Sequence, residues 1–286
     1  MRTFIKWLGN KQRYIKFIEP LVPLEYNRYI EPFLGSGALF LTIKPKDWIV
    51  NDLNQDLINI WNLVKSNPEE IIQRFKAFSK RFKPRDRDSK REFCKKVTDT
   101  LNFREFDSQR TIDFLLMMQC CYMGVLKKKD KFYFYGMDPH IYMENKCFFL
   151  TPKYYQNLIE ISKFLNESSK NKIFNTDYKK ILQKAKKGDF VFLDPPYIEK
   201  DQDYNFEYNS NEQLDSKFLI ELLTEVKKLD EKQVKWMMTQ SDTPEIRKLF
   251  QNYDTTEFPV FRSRSRTHKN ELIIKNFQVV QETVTF

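Results

Sequence analysis

The stretch Phe190-Val191-Phe192-Leu193-Asp194-Pro195-Pro196-Tyr197 decides the fold class of this 286-residue chain. Its first four residues form a short apolar run, which favours a strand buried on both faces of a sheet. A carboxylate, two prolines and an aromatic ring follow that strand directly. Ligands of open α/β sheets bind outside the carboxyl ends of the strands, so we predict a functional site at this turn.

The residue types of this turn suit one chemical problem. An exocyclic amine on an aromatic ring is a poor nucleophile because its lone pair is delocalised into the ring. The Asp194 carboxylate and the Pro195 carbonyl can accept from its N–H bonds and hold the nitrogen for in-line attack on a sulfonium methyl group. Tyr197 can stack on the base, an interaction of about 1–3 kcal/mol. The alternative is an ordinary proline-rich turn; we predict Asp194, Pro195 and Tyr197 as catalytic residues.

Two further motifs lie near the N-terminus of the chain. Glu31-Pro32-Phe33-Leu34-Gly35-Ser36-Gly37 follows a predicted strand at 28–31 and precedes a predicted helix from Ala38. Its glycines would let the backbone approach a ligand closely at a helix N-terminus. Asp52 ends the next predicted strand, where an acid can accept from ribose hydroxyls. The third glycine of a dinucleotide fingerprint is absent, which disfavours NAD.

Alternation of strands and helices is confined to the two ends of the chain. Predicted strands at 28–31 and 48–50 belong to the first part, and those at 172–175, 189–193, 234–239 and 272–275 to the last. Residues 67–149 show no such alternation and include a predicted helix at 108–121. We therefore expect one α/β sheet domain, formed by 1–66 and 150–286, that is interrupted by a mainly helical insertion at 67–149.

Positive charge is concentrated in a few segments. The chain carries a net charge of +10, and from Arg74 to Lys96 eleven Lys or Arg stand against three Asp or Glu. Shorter basic clusters occupy 127–131 and 262–269. A single basic cluster is often only a solvated helix face or loop, whereas three of them favour a surface that contacts phosphates.

Cysteine and histidine usage indicates no metal site. The four cysteines form no CxxC pair, and only two histidines are present, so we predict free thiols, no metal and a reducing interior. No apolar run approaches the roughly 18 residues that cross a bilayer, and the N-terminus lacks the apolar region of a signal peptide. We expect a cytoplasmic protein with no membrane partner. Its oligomeric state is left open.

Four motifs in a fixed order resemble the Dam family (D12 class, alpha type) of adenine-N6 DNA methyltransferases. They are Phe4-Ile5-Lys6-Trp7-Leu8-Gly9-Asn10-Lys11, the glycine turn at 31–37, Asn51-Asp52-Leu53-Asn54-Gln55-Asp56-Leu57-Ile58, and Asp194-Pro195-Pro196-Tyr197. The resemblance implies a Rossmann-like S-adenosylmethionine-dependent methyltransferase sheet with an inserted, mainly helical DNA-recognition domain. It also implies double-stranded DNA as the partner.

The same resemblance implies a role for individual residues. Trp7 and Lys11 would lie at the methionine end of S-adenosylmethionine, Phe33 and Gly35 would pack against it, and Asp52 would bind its ribose. Asp194 would face both the cofactor and the target amine. The implied cofactor-binding residues are therefore Trp7, Lys11, Phe33, Gly35, Asp52 and Asp194. Lys6 is expected to face DNA, and Asp177 to contact the cofactor's adenine.

The implied reaction transfers a methyl group to N6 of an adenine flipped out of duplex DNA, at a flipping cost of a few kcal/mol. Three alternatives stay open from the residues: an N4-cytosine methyltransferase, an RNA substrate, and a nucleic-acid-binding protein without catalysis. Residues 125–136 lack the arginine- and asparagine-rich pattern of GATC-reading enzymes, so the target sequence does not carry over. The polar, aromatic segment 201–209 is either a loop that closes over DNA or a plain surface loop.

Overall fold

The computed structural model describes residues 1–82, 86–122, 127–128, 131–134, 136–144, 147–197, 216–262 and 267–278. Within these ranges the strands are β1 (Tyr29–Glu31), β2 (Trp48–Asn51), β3 (Lys127–Lys128), β4 (Lys131–Phe132), β5 (Lys172–Phe174), β6 (Phe190–Leu193), β7 (Lys235–Ser241), β8 (Asp254–Arg262) and β9 (Thr267–Lys275). The α-helices are α1 (Ile15–Ile18), α2 (Ala38–Ile43), α3 (Gln55–Ser66), α4 (Pro68–Phe82), α5 (Arg87–Leu101), α6 (Ser108–Cys120), α7 (Pro139–Glu144), α8 (Pro152–Leu165), α9 (Tyr178–Leu182), α10 (Ser216–Glu231) and α11 (Pro244–Leu249).

Seven strands form one sheet in the order β5-β2-β1-β6-β7-β9-β8. The first five of these are parallel, whereas β9 runs antiparallel to both β7 and β8. The order of strands reverses between β1 and β6, and such a switch point opens a crevice at the carboxyl ends of the strands. The predicted Rossmann-like α/β fold class is confirmed.

Strand β6 is apolar throughout because both faces of the sheet are covered. Phe190 and Phe192 contribute to the hydrophobic cluster on one face, and Val191 and Leu193 to the cluster on the other. Successive side chains of a strand point to opposite faces, so a strand covered on both sides needs an unbroken apolar run. This packing holds Asp194, the next residue, at the end of a fixed strand.

The insertion at 67–149 contains α4 to α7 and the short antiparallel pair β3–β4. Its helices share the hydrophobic cluster of the sheet, because Phe75 and Phe82 of α4 belong to the same cluster as Phe190 and are fully buried. A buried ion pair between Arg110 of α6 and Asp56 of α3 joins the two parts further. Sheet and insertion therefore have one continuous core. The boundaries assigned to the two domains stay a prediction.

Helix α8 is absent from the sequence-based predictions, although its start carries local signals. Thr151 accepts a hydrogen bond from the backbone N–H of Tyr154, and Pro152 occupies the first helical position. Both features are typical of a helix N-terminus. The helix buries one face against the insertion and the sheet, where Tyr154 stacks on Phe75 with ring centres 5.9 Å apart.

The four cysteines are buried and free of disulfides. Burial raises the pKa of both Cys120 and Cys121 above the ordinary thiol value, and neighbouring thiols add to the effect. Such thiols stay protonated and are poor nucleophiles. None of the helices in the described ranges combines the length and apolar character needed to cross a bilayer.

Candidate active site

Three neighbouring strands bring the predicted motifs together. The glycine turn follows β1, Asp52 follows β2 and Asp194 follows β6, and β1 pairs with both of the other strands. Because these strands are parallel, all three motifs lie at one edge of the sheet, beside the switch point. The site predicted from separate segments of sequence is therefore one continuous region.

Asp194 is held through one of its two carboxylate oxygens. Lys11 Nζ lies 2.9 Å from Oδ1, and the Thr239 hydroxyl donates to the same oxygen at 2.5 Å. In the part of the chain that the structure describes, both polar contacts of this carboxylate fall on Oδ1. Its side chain is about one-fifth exposed, at 21%. Oδ2 is therefore left to accept a hydrogen bond from a ligand.

Lys11 is a buried cation surrounded by acceptors. Besides Asp194, its ammonium group lies 3.2 Å from the carbonyl oxygen of Gly9 and 3.9 Å from Oε2 of Glu271. Burial alone would lower the pKa of Lys11, but the carboxylates of Asp194 and Glu271 outweigh it and raise the pKa above the ordinary value. The lysine is therefore positively charged, and it joins the N-terminal segment to the end of β6.

The ring of Tyr197 is fixed at two points. Its hydroxyl donates to Oε2 of Glu271 at 2.9 Å, and Lys11 Nζ lies 4.7 Å from the ring centre, a cation–π distance. Burial, together with the charges of Asp194 and Glu271, raises the pKa of Tyr197 well above its usual value. The phenol therefore keeps its proton and acts as a donor.

The glycine turn forms a wall together with Trp7. Gly35 has φ +49°, and a Cβ added there would lie 3.2 Å from Cδ1 of Trp7. The indole N–H of Trp61 donates to the Gly35 carbonyl oxygen at 3.2 Å, which fixes the turn from below. A positive φ and a close aromatic neighbour both favour glycine. The backbone of this turn can therefore approach a ligand closely beside the indole of Trp7.

Asp52 is bound to this turn by backbone donors. Its Oδ2 accepts from the N–H of Gly35 and its Oδ1 from the N–H of Asn54, each at 2.9 Å. Burial raises the pKa of Asp52 to about 6, although the backbone hydrogen bonds oppose this shift. Each carboxylate oxygen has a second lone pair, so the group can still accept from ligand hydroxyls.

The other predicted site residues border the crevice less closely. Pro195 is buried, and the half-buried ring of Phe33 packs 5.1 Å from the ring of Tyr178. Asp177, the weaker candidate for a cofactor contact, is exposed and caps α9 through the N–H of Lys179 at 2.8 Å. Phe33 of the glycine turn therefore packs against Tyr178, and Asp177 caps a helix.

Three residues at the site were given no role from the sequence: Glu31, Thr239 and Glu271. Glu31 is fully buried and accepts from the Tyr29 hydroxyl at 2.8 Å; burial raises its pKa well above the ordinary value. A usable signal existed for Glu271, an acid placed directly before the apolar run Leu272-Ile273-Ile274. A charged residue that continues a buried strand commonly belongs to a site or to an ion pair.

The expectation that Lys6 faces DNA stays a prediction, and the structure shows the protein contacts of this lysine. Lys6 Nζ donates to Oδ2 of Asp138 at 2.5 Å and to the carbonyl oxygen of Cys121 at 3.0 Å. Both acceptors belong to the insertion, so this lysine links the N-terminal motif to the insertion. The predictions for 201–209 and for most of the cluster at 262–269 fall outside the described residues, as do the side chains of 127–131 other than Lys131.

Comparison with known proteins identifies a family that this chain resembles. Residues 7–264 match the D12 class N6 adenine-specific DNA methyltransferases. A type II methyltransferase, M1.LlaDCHI, from Lactococcus lactis subsp. cremoris is 29% identical, with 97% of this chain and 96% of the relative covered. The DNA adenine methylase of Haemophilus influenzae is 27% identical over 96% of this chain and 91% of its own length. A type II methyltransferase of Methanocaldococcus jannaschii, M.MjaIII, is 28% identical over 84% of each chain.

The family decides between the alternatives left open by the residues. Its members modify N6 of adenine in DNA, which excludes the N4-cytosine, RNA and non-catalytic readings. The reaction needs a methyl donor and a DNA substrate. With its motifs joined at one sheet edge and the match extending over residues 7–264, the chain belongs to the D12 class N6 adenine-specific DNA methyltransferase family.

Proposed function

We propose that this methyltransferase uses S-adenosylmethionine as its donor and acts on an adenine flipped out of double-stranded DNA. The observation that carries the proposal is the state of Asp194. Lys11 and Thr239 fix its Oδ1, while Oδ2 has no hydrogen bond or ion pair in the described part of the chain. The acid is therefore oriented in advance, with one oxygen available for a substrate amine.

The residues near the glycine turn fit the donor. Asp52 offers acceptor lone pairs for ribose hydroxyls, and Gly35 offers close backbone approach beside the indole of Trp7. Phe33 would give the donor an aromatic surface, and Lys11 would place a positive charge near its methionine end. S-adenosylmethionine supplies an electrophilic methyl group on its sulfonium sulfur.

The turn after β6 fits the acceptor. An adenine amine has two N–H bonds; Asp194 Oδ2 would accept one and the Pro195 carbonyl the other, which orients the nitrogen lone pair toward the methyl group. Tyr197 would stack on the purine and offset part of the cost of flipping. The methylated amine would then pass its extra proton to Oδ2 of Asp194, and no covalent enzyme intermediate is needed. The buried, protonated cysteines agree with this route.

Target recognition is assigned to the insertion, residues 67–149, and catalysis to 1–66 and 150–286. Basic side chains project into solvent from both α4 and α5, including Arg74, Lys80, Arg91 and Lys95. Phosphate contacts from such side chains position a protein on DNA without reading its sequence. An enzyme of this kind acts where the DNA is, and we propose the cytoplasm as its location.

The test is direct identification of the product. Purified protein is incubated with plasmid DNA and S-adenosylmethionine, the DNA is digested to nucleosides, and methylated nucleosides are separated and weighed by mass spectrometry. N6-methyladenine that forms only with donor present, and faster on duplex than on single-stranded DNA, is the expected result. Calorimetry measures donor binding independently. Absence of donor binding, or a product other than N6-methyladenine, would overturn the proposal.

A further inference from the structure

Glu271 is a buried carboxylate in an otherwise apolar part of β9. Its relative exposure is 8%, and Leu272, Ile273 and Ile274, which follow it, are fully buried. A carboxylate is costly to bury unless its oxygens are hydrogen-bonded or paired. Here Oε2 accepts from the Tyr197 hydroxyl at 2.9 Å and lies 3.9 Å from Lys11 Nζ. Tyr197 and Lys11 are both predicted site residues.

The sheet topology brings Glu271 to the site. Strand β7 lies between β6 and β9, and Glu271 is paired with Ser241 at the carboxyl end of β7. Because β9 is antiparallel to β7, its early residues meet the carboxyl ends of the parallel strands. Tyr197, which follows β6, therefore reaches across the end of β7 to a carboxylate on β9. The pairing is non-local in sequence and depends on the antiparallel strand.

The three groups hold one another in a fixed arrangement. Tyr197 is bound to Glu271 by its hydroxyl and lies against Lys11 by its ring, while Lys11 is bound to Asp194. We propose that Glu271 is a positioning residue that sets the ring plane of Tyr197 for stacking on the flipped adenine. The proposal rests on the proposed function, in which Tyr197 stacks on the target base.

A fixed ring has a physical advantage over a free one. An aromatic side chain attached only through its own Cβ can turn about two torsions, and the freedom lost on stacking opposes binding of the base. A hydrogen bond from the phenol to a carboxylate fixes the hydroxyl end of the side chain before DNA arrives, and because a phenolic O–H prefers the ring plane, the acceptor also favours one ring orientation. The hydrogen bond to the Tyr197 hydroxyl is the contact through which Glu271 would act on the stacked base.

A simpler role would be that of a second counter-charge for Lys11. The distances favour the tyrosine, because the contact of Glu271 with the phenol is a hydrogen bond at 2.9 Å whereas its contact with the ammonium group is 3.9 Å. Lys11 already has Asp194 at 2.9 Å. The two roles predict different behaviour when the Tyr197 hydroxyl is removed, and this difference can be measured.

The experiment is a double-mutant cycle of Glu271→Ala and Tyr197→Phe, with Glu271→Gln as the conservative variant. The readouts are base flipping, followed by the fluorescence of 2-aminopurine at the target position, and the single-turnover rate of methylation. A third readout is the ¹⁹F NMR signal of fluorotyrosine at Tyr197, assigned by its loss in Tyr197→Phe and recorded without DNA. Glu257→Ala, which removes an exposed carboxylate of β8, is the matched control.

We expect Glu271→Ala to lower the extent of flipping and the rate by about three- to tenfold and to shift the fluorotyrosine signal. Tyr197→Phe should give a similar loss, and adding Glu271→Ala to it should change little, because the two act through one hydrogen bond. Glu271→Gln keeps an acceptor oxygen and should stay within about twofold of wild type. Glu257→Ala should match wild type.

Equal losses from Glu271→Ala in the wild-type and Tyr197→Phe backgrounds would overturn the positioning role, and so would an unchanged fluorotyrosine signal. If Glu271→Ala fails to fold, Tyr197→Phe decides: flipping at the wild-type level in that variant overturns the proposal. Failure of the proposed function looks different, because wild type itself would then show no flipping and no methylation. The fluorotyrosine shift tests the Glu271 contact in either case.

Discussion

Lys11 Nζ and Asp194 Oδ1 lie 2.9 Å apart, and they join the N-terminal turn of the chain to the end of its central strand β6. The lysine side chain is only 8% exposed, so this ion pair is screened little by solvent. Lys11 and Thr239 both contact Oδ1 of Asp194, and neither contacts its Oδ2. The first and the last motif in the sequence are therefore in direct contact in the fold.

Asp194→Ala should abolish methyl transfer while leaving DNA affinity largely intact. The carboxylate would accept a hydrogen bond from the target amine and then its proton, and loss of a positioned acid–base group lowers rates by about 10²–10⁴-fold. Initial rates with labelled donor and gel-shift affinities measure the two properties separately. Thr239→Val is the control, since it removes one donor to Oδ1 and should give a much smaller loss. Full activity of Asp194→Ala would refute the catalytic assignment.

Lys11→Met should destabilise the protein by about 3–5 kcal/mol, because it leaves the carboxylates of Asp194 and Glu271 close together without their cation. Urea unfolding at neutral pH measures this change. Lys179→Met is the matched control: its pair with Glu221 has both side chains more than one-third exposed, so removal should cost no more than about 1 kcal/mol. Equal stability of the two variants would contradict the structural role of Lys11.

Gly35→Ala should weaken donor binding and also destabilise the fold. Its φ of +49° strains any other residue by about 1–2 kcal/mol, and the new methyl group would press on Trp7 at 3.2 Å. Gly188→Ala is similarly strained at φ +87°, but its close neighbour is Asn27, away from the site. Calorimetry should therefore find a higher Kd for S-adenosylmethionine only in Gly35→Ala. A higher Kd in both variants would indicate a general loss of structure.

The raised pKa of Asp52 predicts a specific dependence of stability on pH. Its folded-state pKa of about 6 lies above the ordinary 3.8, so between these values the folded chain holds a proton that the unfolded chain has lost. This contribution favours folding at low pH and is lost as the pH rises through about 6. Relative to Asp52→Asn, the free energy of unfolding of wild type should fall by on the order of 2–3 kcal/mol between pH 4 and pH 7. If the free energies of unfolding of the two proteins changed in parallel with pH, the raised pKa of Asp52 would be contradicted.

Neutralising the exposed basic side chains of α5 should reduce the salt dependence of DNA binding. Arg91 and Lys95 are exposed and one helical turn apart. If each contacts a phosphate, the double alanine variant should lower the slope of log Kd against log salt by about 2. Replacement of Lys186 and Lys187, which are exposed outside the insertion, is the control and should leave the slope unchanged. An unchanged slope in the α5 variant would remove this helix from the DNA interface.

The parts of the site that lie next to one another in sequence could be predicted, and those joined by distant pairing could not. Asp194, Pro195 and Tyr197 follow a recognisable apolar strand, so their place at a sheet edge follows from the pattern alone. Glu271 reaches Tyr197 only because β9 pairs antiparallel with β7, and no local pattern contains that register. The contact of Lys6 could not be predicted for the same reason, because its acceptor Asp138 is 132 residues further along the chain.

The fold class could be predicted from the sequence because its signals are local. Apolar runs, caps and glycine turns specify strands and helices within a few residues. The continuous core of sheet and insertion could not be predicted, because in the sequence Phe75 and Phe82 look like the buried face of any amphipathic helix. Only their packing against the same cluster as Phe190 shows which surface that face covers.

If residues 67–149 recognise the target sequence as proposed, the shared core limits how new specificity can be engineered. Exchanging residues 67–149 for the corresponding segment of a relative would expose or overfill the contacts of Phe75, Phe82 and Arg110, so a simple graft should misfold. A chimera that keeps these inward side chains and changes only the outer surface preserves the core. In this enzyme, DNA-recognition variants are more accessible by surface redesign than by transplanting the segment.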